Sequence, residues 1–164
     1  RMPVREIVEL AKKHGMLSVC DAITALGVMD LPMDPWGIDV LITGAQKAMM
    51  IPPGLAFIAL SENAWKSAAT SDLPKFYFNL AKELEAHRKN QTAWTPAISL
   101  VMGLAESLRM LKEEGLPAVF ARHERLAEAT RNAVAALGLE ILADRNPSPA
   151  VTAVKVPASI SDGK

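Results

Sequence analysis

Short runs of apolar residues follow a helical segment in the first sixty residues of the chain. Apolar side chains recur at helical spacing over residues 1–14, and Gly15 suits the left-handed position that ends a helix. Short, mostly apolar runs follow at residues 16–20, 38–42 and 55–60. Because such runs are typical of strands buried on both faces, they predict a sheet covered by helices on both sides. The pattern is that of an α/β domain.

Longer amphipathic helices dominate the second half of the chain. Pro96 opens a segment with apolar residues at helical spacing, and Gly115 ends it. The next helix begins at Pro117. After it, two short apolar runs at residues 139–142 and 151–156 are predicted to be strands of a second, smaller unit.

The composition restricts the class of protein. The chain has 164 residues, half of them apolar, which is enough for one domain with a real core. Its 18 basic and 18 acidic residues cancel, so nothing favours nucleic acid or an anionic membrane as a partner. Cys20 is the only cysteine, which excludes an internal disulfide and fits a reducing, cytoplasmic compartment. The three histidines are scattered, so no metal site is predicted.

Polar residues follow two of the predicted strands. Asp21 comes directly after the first run, and Gln46 and Lys47 come shortly after the second. In open α/β sheets, ligands bind outside the carboxyl ends of the strands. If the two strands are neighbours, a carboxylate and an amine face one crevice. This pair suits pyridoxal phosphate, whose pyridine nitrogen pairs with an acid and whose aldehyde condenses with a lysine.

Each of these residues also has a purely structural interpretation. Asp21 would cap the turn that follows its strand, and Lys47 would be a surface lysine with its amine in solvent. Cys20 is interpreted as a small core residue and His123 as a packed or surface residue of a helix. The order of Asp21, Gln46 and Lys47 in one α/β pattern favours a functional site over these alternatives.

Several segments, in order along nearly the whole chain, resemble the class V aminotransferases. They read CDAITALG at residues 20–27, MDPWGID at 33–39, TGAQKA at 43–48, PPGLA at 52–56 and QTAWTP at 91–96. Within that family they are most similar to the alanine–glyoxylate, serine–pyruvate and serine–glyoxylate branch.

The resemblance implies an α/β fold of the pyridoxal phosphate-dependent fold-type I class. Its large domain has three layers and a mostly parallel sheet. Residues 1–118 would be the C-terminal part of this cofactor-binding domain. Residues 119–164 would be a linking helix and the beginning of a small α+β C-terminal domain.

The resemblance also assigns roles to the residues at the predicted strand ends. Asp21 would pair with the pyridinium nitrogen, and Ile23 would pack on one face of the ring. Gln46 would hydrogen-bond the phenolic oxygen or reach the phosphate. Lys47 would form the Schiff base and then shuttle a proton.

Thr92 and Thr95 resemble residues that reach the phosphate of a neighbouring subunit. This implies a homodimer with shared active sites. Thr95 would also suit the N-cap of the helix after Pro96, and the two interpretations are compatible.

The activity implied by the resemblance is that of a pyridoxal phosphate-dependent transaminase. It would move an amino group between alanine or serine and glyoxylate or pyruvate. One alternative is a lyase or cysteine desulfurase of the same fold, but Gln46 replaces the histidine usual there and no loop cysteine is present. Another is a non-catalytic homologue acting as a subunit of a complex, as some members found beside hydrogenase genes are. The intact set of Asp21, Gln46 and Lys47 counts against it.

The chain ends suggest an internal piece of a longer protein. It opens in a helical segment without an initiating methionine and stops just after a strand-like run. In the family, the loop that cradles the phosphate and the aromatic ring that stacks on the cofactor lie upstream. The arginine that binds the substrate carboxylate lies downstream. We therefore expect this segment by itself to be catalytically incomplete.

Overall fold

Helices and strands alternate over the first 44 residues of the computed structural model, which describes residues 1–158 and 160. This confirms the α/β class. The strands are β1 (Val19–Asp21), β2 (Val40–Gly44) and β3 (Ala56–Leu60). The helices are α1 (Val4–Lys13), α2 (Met33–Trp36), α3 (Glu62–Thr70), α4 (Leu80–Arg88), α5 (Ile98–Glu114) and α6 (Leu116–Ala136).

The three strands form one mixed sheet in the order β1-β2-β3. β1 runs parallel to β2, with Asp21 opposite Ile42. β3 runs antiparallel to β2, with Ala56 opposite Gly44. The connection between β2 and β3 contains only turns and bends. It lacks the helical crossover that usually joins parallel strands, so the chain reverses at this point.

Two of the strands begin later than the apolar runs that predicted them. Met16 is bound to the end of α1, because its N–H donates to Ala11 O at 2.9 Å. Ile38 is bound to α2 in the same way, since its N–H donates to Met33 O at 3.0 Å. Both residues are therefore occupied as helix caps, and the ladder begins downstream. Gly15 has φ 67°, as predicted for the residue after α1.

The main core lies between α1 and the β1–β2 pair. Val8, Ala22, Ile38 and Leu41 are buried together. The other side of the sheet is less covered than predicted, because 66% of Val19 remains exposed. β1 and β3 are both edge strands, so only β2 has a neighbour on each side.

Two predictions about the second half of the chain are wrong. Thr95 does not cap α5, because the residue at the N-cap is Ala97 and no side chain bonds the helix start. The runs at residues 139–142 and 151–156 form one isolated antiparallel bridge, between Ile141 and Val154, instead of two strands. Apolar side chains of these runs, among them Leu142 and Val156, remain exposed.

Helices α5 and α6 follow each other directly and pack on the second half of the Lys47 turn. Met49, Leu111 and Val119 form a second buried cluster. The rest of the apolar stripe of α5 faces outward, and 65% of Ile98 is exposed. No helix among the described residues combines the length and the apolar character needed to cross a membrane.

Candidate functional site

The carboxyl ends of β1 and β2 lead into two turns that lie side by side. Because the strands are parallel, both chains leave the sheet at the same edge. The first turn is anchored to β2, since Ala22 N–H donates to Ile42 O at 2.8 Å. The turns also touch directly, because a methyl group built on Gly27 would lie 2.9 Å from Cβ of Ala48. The predicted neighbourhood of the two strand ends is confirmed.

Asp21 is the last residue of β1 and its carboxylate is exposed. Its Oδ1 accepts the backbone N–H of Ile23 at 2.9 Å, so the turn-capping interpretation is correct. No other hydrogen bond of the described residues reaches this carboxylate. Oδ2 can therefore accept a donor from a ligand without disturbing the turn.

Ile23 and Gln46 converge above Gly44, the last residue of β2. A methyl group built on Gly44 would lie 2.9 Å from Oε1 of Gln46 and 3.2 Å from Cδ1 of Ile23. A side chain at this position would have to displace the ends of these two side chains. The glycine allows an apolar group from one turn and an amide from the other to meet at the strand end.

Lys47 lies in a tight turn and its side chain is exposed, which agrees with the structural interpretation of a surface lysine. Its backbone carbonyl accepts the N–H of Met50 at 2.9 Å. Met50 has φ 57°, a left-handed conformation that is unfavourable for a residue with a side chain. Backbone strain of this kind persists only where the surroundings impose it, and it clusters at functional sites.

A cavity of about 310 Å³ opens beside Lys47. Its polar lining comes from Thr24, Lys47, Arg122 and His123. The two last residues belong to the start of α6 and lie 75 and 76 positions after Lys47 in the sequence, so sequence spacing gave no signal for them. Thr24 belongs to the CDAITALG segment but was not predicted as a site residue.

Two cationic side chains, Lys47 and Arg122, line this cavity. Arg122 is paired with Glu114, because its Nε and Nη2 donate to the two carboxylate oxygens at 2.7 and 2.9 Å. Burial and the positive charge of Arg122 lower the pKa of His123, despite an opposing effect of Glu114. The imidazole is therefore favoured in its neutral form. His123 is half-buried on α6, in agreement with its interpretation as a packed or surface residue, and it also contributes to the cavity wall.

Thr92 and Thr95 lie away from this cavity, in the segment between α4 and α5. Both are exposed, and the hydroxyl of Thr92 donates to Trp94 O at 2.7 Å. Trp94 stacks on Tyr77 with ring centroids 4.8 Å apart. Neither threonine lines the Lys47 cavity, and Asp21, Ile23 and Gln46 do not line it either.

Another polar cluster lies at the opposite end of the same strands. Asp39 accepts hydrogen bonds from the backbone and hydroxyl of Ser18 at 3.0 and 3.2 Å. It also accepts from Ser61 at 2.9 Å and from Asn63 at 3.2 Å. Burial opposes ionisation of Asp39, but these hydrogen bonds outweigh it and lower the pKa of the carboxyl group. The cluster joins β1, β2 and the start of α3.

The sequence profile of the family described as Aminotransferase class-V matches residues 1–161. The chain belongs to this family. Its fold also matches a solved structure from Nostoc sp. named alanine–glyoxylate aminotransferase, with a TM-score of 0.89 and 25% identity. That match covers 98% of this chain and 44% of the other. The predicted family and the fold-type I class of pyridoxal phosphate enzymes are confirmed.

Two curated relatives show where the chain lies within the family. The soluble hydrogenase 42 kDa subunit of Anabaena cylindrica is 46% identical over 92% of this chain and 40% of its own length. The L-aspartate–glyoxylate aminotransferase of Paracoccus denitrificans is 40% identical over 90% of this chain and 38% of its own length. The chain thus spans about two fifths of the relatives that it matches.

The residues at the strand ends fit pyridoxal phosphate, the cofactor on which the family generally depends. The cofactor needs a carboxylate for its ring nitrogen, a donor for its oxygens and an amine for its aldehyde. Asp21 has an oxygen without a hydrogen-bond partner among the described residues. Gln46 meets Ile23 above a glycine, and Lys47 opens on a cavity. All three chemical groups are supplied by adjacent turns.

Proposed function

We propose that this chain supplies the Schiff-base half of a pyridoxal phosphate-dependent aminotransferase site. The observation that carries the proposal is the convergence of the Asp21 and Lys47 turns at one edge of the parallel β1–β2 pair. The enzyme would move an amino group between alanine or serine and glyoxylate or pyruvate. Relatives named aspartate–glyoxylate and alanine–glyoxylate aminotransferase support this class of substrates.

Each residue of the site has a separate task in this proposal. The bound cofactor would supply an aldehyde that condenses with an amine and a ring that accepts electrons. Asp21 would hold the ring nitrogen through its free Oδ2, while Oδ1 stays bound to the turn. Ile23 and Gln46 would orient the ring. Lys47 would hold the aldehyde end of the cofactor through its amine and would move a proton at the substrate Cα.

Thr92 and Thr95 extend the proposal to a second copy of the chain. They are exposed on a segment apart from the Lys47 cavity. This position suits the role of reaching the phosphate bound by a partner subunit in a homodimer. The division into residues 1–118 of the large domain and 119–164 of the linking helix and small domain belongs to the same proposal, as does a cytoplasmic location.

A titration with pyridoxal phosphate tests the proposal. The protein that carries this chain is expected to develop a visible absorption band that borohydride removes, and to transaminate alanine with glyoxylate. Lys47→Ala is expected to lose the band and the activity. Lys66→Ala, which removes an exposed lysine of α3, is expected to keep both. An unchanged band in the Lys47→Ala protein contradicts the proposal.

A second candidate function is a non-catalytic subunit of a larger complex. The specific observation in its favour is the 46% identity to the relative named as a soluble hydrogenase subunit. This candidate predicts a protein that is isolated with a stable partner, takes up no pyridoxal phosphate and catalyses no transamination. The same titration therefore separates the two functions.

The desulfurase alternative finds no support at the only cysteine. Cys20 lies within β1 and packs against the core cluster, in agreement with its interpretation as a core residue. Burial and the neighbouring charge of Asp21 raise the pKa of its thiol. The thiolate that a nucleophile requires is therefore disfavoured.

A further inference from the structure

One buried hydroxyl group of α5 forms a hydrogen bond with the turn that carries Lys47. Ser107 lies in the middle of α5 and is only 4% exposed. Its Oγ donates a hydrogen bond to the backbone carbonyl of Met49. This contact joins residues 58 positions apart in the sequence and is the only hydrogen bond between α5 and the turn among the described residues.

The backbone of the turn needs such a support. Met50 follows the accepting carbonyl directly and has φ 57°. Its N–H donates to Lys47 O at 2.9 Å, so the strained residue and the lysine belong to the same hydrogen-bonded loop. A left-handed non-glycine residue costs free energy and relaxes unless neighbouring contacts hold it.

Side chains of two helices also pack against the Lys47 turn. The side chain of Met49 is buried against Leu111 of α5 and Val119 of α6. Ser107 and Leu111 are one helical turn apart, so the polar and the apolar contact hold the same residue side by side. The carbonyl and the side chain of Met49 are thereby fixed together, two residues from Lys47.

We propose that Ser107 is a positioning residue for Lys47, acting through the Met49 carbonyl and the strained Met50 backbone. This inference rests on the proposed function, because it concerns the amine that would bind the cofactor. Without the hydroxyl, a buried carbonyl loses its donor and Met50 can relax toward an ordinary backbone conformation. Lys47 would then sample more orientations, and attachment of the cofactor would weaken.

Hydrogen exchange of the cofactor-free protein tests the structural step. Ser107→Ala is expected to speed amide exchange at residues 45–51 by roughly 3- to 10-fold, the range of one net hydrogen bond. Exchange in α1 should stay the same. Ser99→Ala removes an exposed hydroxyl near the start of the same helix and should change neither region. Unchanged exchange at residues 45–51 in the Ser107→Ala protein overturns the inference.

Spectroscopic titration with pyridoxal phosphate tests the link to Lys47. The visible band of the Ser107→Ala protein is expected to need a roughly 3- to 10-fold higher cofactor concentration, and Ser107→Thr, which keeps a hydroxyl, should restore part of the affinity. Faster exchange with an unaltered titration would make Ser107 merely structural and overturn the inference. A wild-type protein without any band contradicts the proposed function instead, whatever the exchange data show.

Discussion

The two ends of the β1–β2 pair carry the same kind of residue in opposite circumstances. At the amino end, Asp39 accepts four hydrogen bonds from Ser18, Ser61 and Asn63. At the carboxyl end, Asp21 accepts one, from the backbone of Ile23. The first aspartate has its acceptor capacity used by the protein, whereas the second retains capacity for a ligand.

This difference separates a residue that holds the fold from one that is available for function. The cluster around Asp39 connects two strands and the cap of α3, so its energy contributes to folding. The residues around Asp21 leave polar groups exposed beside a glycine and a strained turn. The number of hydrogen bonds that a carboxylate already accepts from the protein therefore indicates whether it is structural or available to a ligand.

The largest expected effect is a loss of stability at the amino end. Asp39→Ala leaves part-buried donors of Ser18 and Ser61 without their acceptor and should lower the free energy of unfolding by about 2–3 kcal/mol. Urea denaturation measures this change. Asp72→Ala, at an exposed position after α3, is the control and should change it by less than about 0.5 kcal/mol. If both substitutions change the free energy of unfolding equally, Asp39 does not have the structural role that distinguishes it from Asp21.

Asp21→Asn should show the reverse pattern. Asparagine can still accept the N–H of Ile23, so stability should change by less than about 0.5 kcal/mol. Loss of the charge should lower the affinity for pyridoxal phosphate by about 10- to 100-fold, the range for a hydrogen bond to a charged group. Titration of the visible band measures this, with the exposed Asp30→Asn as control. Unaltered affinity would mean that Asp21 only caps its turn.

Acid should weaken the stabilising hydrogen bonds of Asp39, at the amino end of the β1–β2 pair, in a specific pH range. Because the folded pKa of Asp39 is lowered, its stabilising effect is complete above the unfolded value of about 3.9. It is lost as the pH falls through the folded pKa. The stability advantage of wild type over Asp39→Asn should therefore be constant near pH 7 and shrink below about pH 4. Urea denaturation across this range checks it, and an advantage independent of pH would contradict the assignment.

The smallest expected effect concerns the segment before α5. Thr95→Val should leave stability nearly unchanged, because the residue is exposed and does not cap the helix. If a second copy binds the phosphate through this hydroxyl, the affinity for pyridoxal phosphate should fall by about 3- to 10-fold, the range of one hydrogen bond. Ser99→Ala is a suitable control. Unaltered affinity in a protein that is dimeric by light scattering would exclude the role of Thr95.

Local patterns predicted the elements near the site because their signals lie within a few residues. Gly15 ends α1, and Asp21 and Lys47 follow neighbouring strands as expected. Contacts over long sequence distances escaped prediction. Ser107 bonds the Lys47 turn and His123 lines the cavity beside it, and the serine resembles any other polar residue of an amphipathic helix. The two strands predicted after α6 reduce to one bridge, because short apolar runs alone do not specify a strand.

The most direct test of the account is to locate the covalently attached cofactor. The protein that carries this chain is incubated with pyridoxal phosphate, reduced with borohydride and digested, and the labelled peptide is identified by mass spectrometry. The account predicts the added mass on Lys47 and on no other lysine of the chain. Stoichiometric label on a different lysine, or none on a folded protein saturated with cofactor, would contradict it.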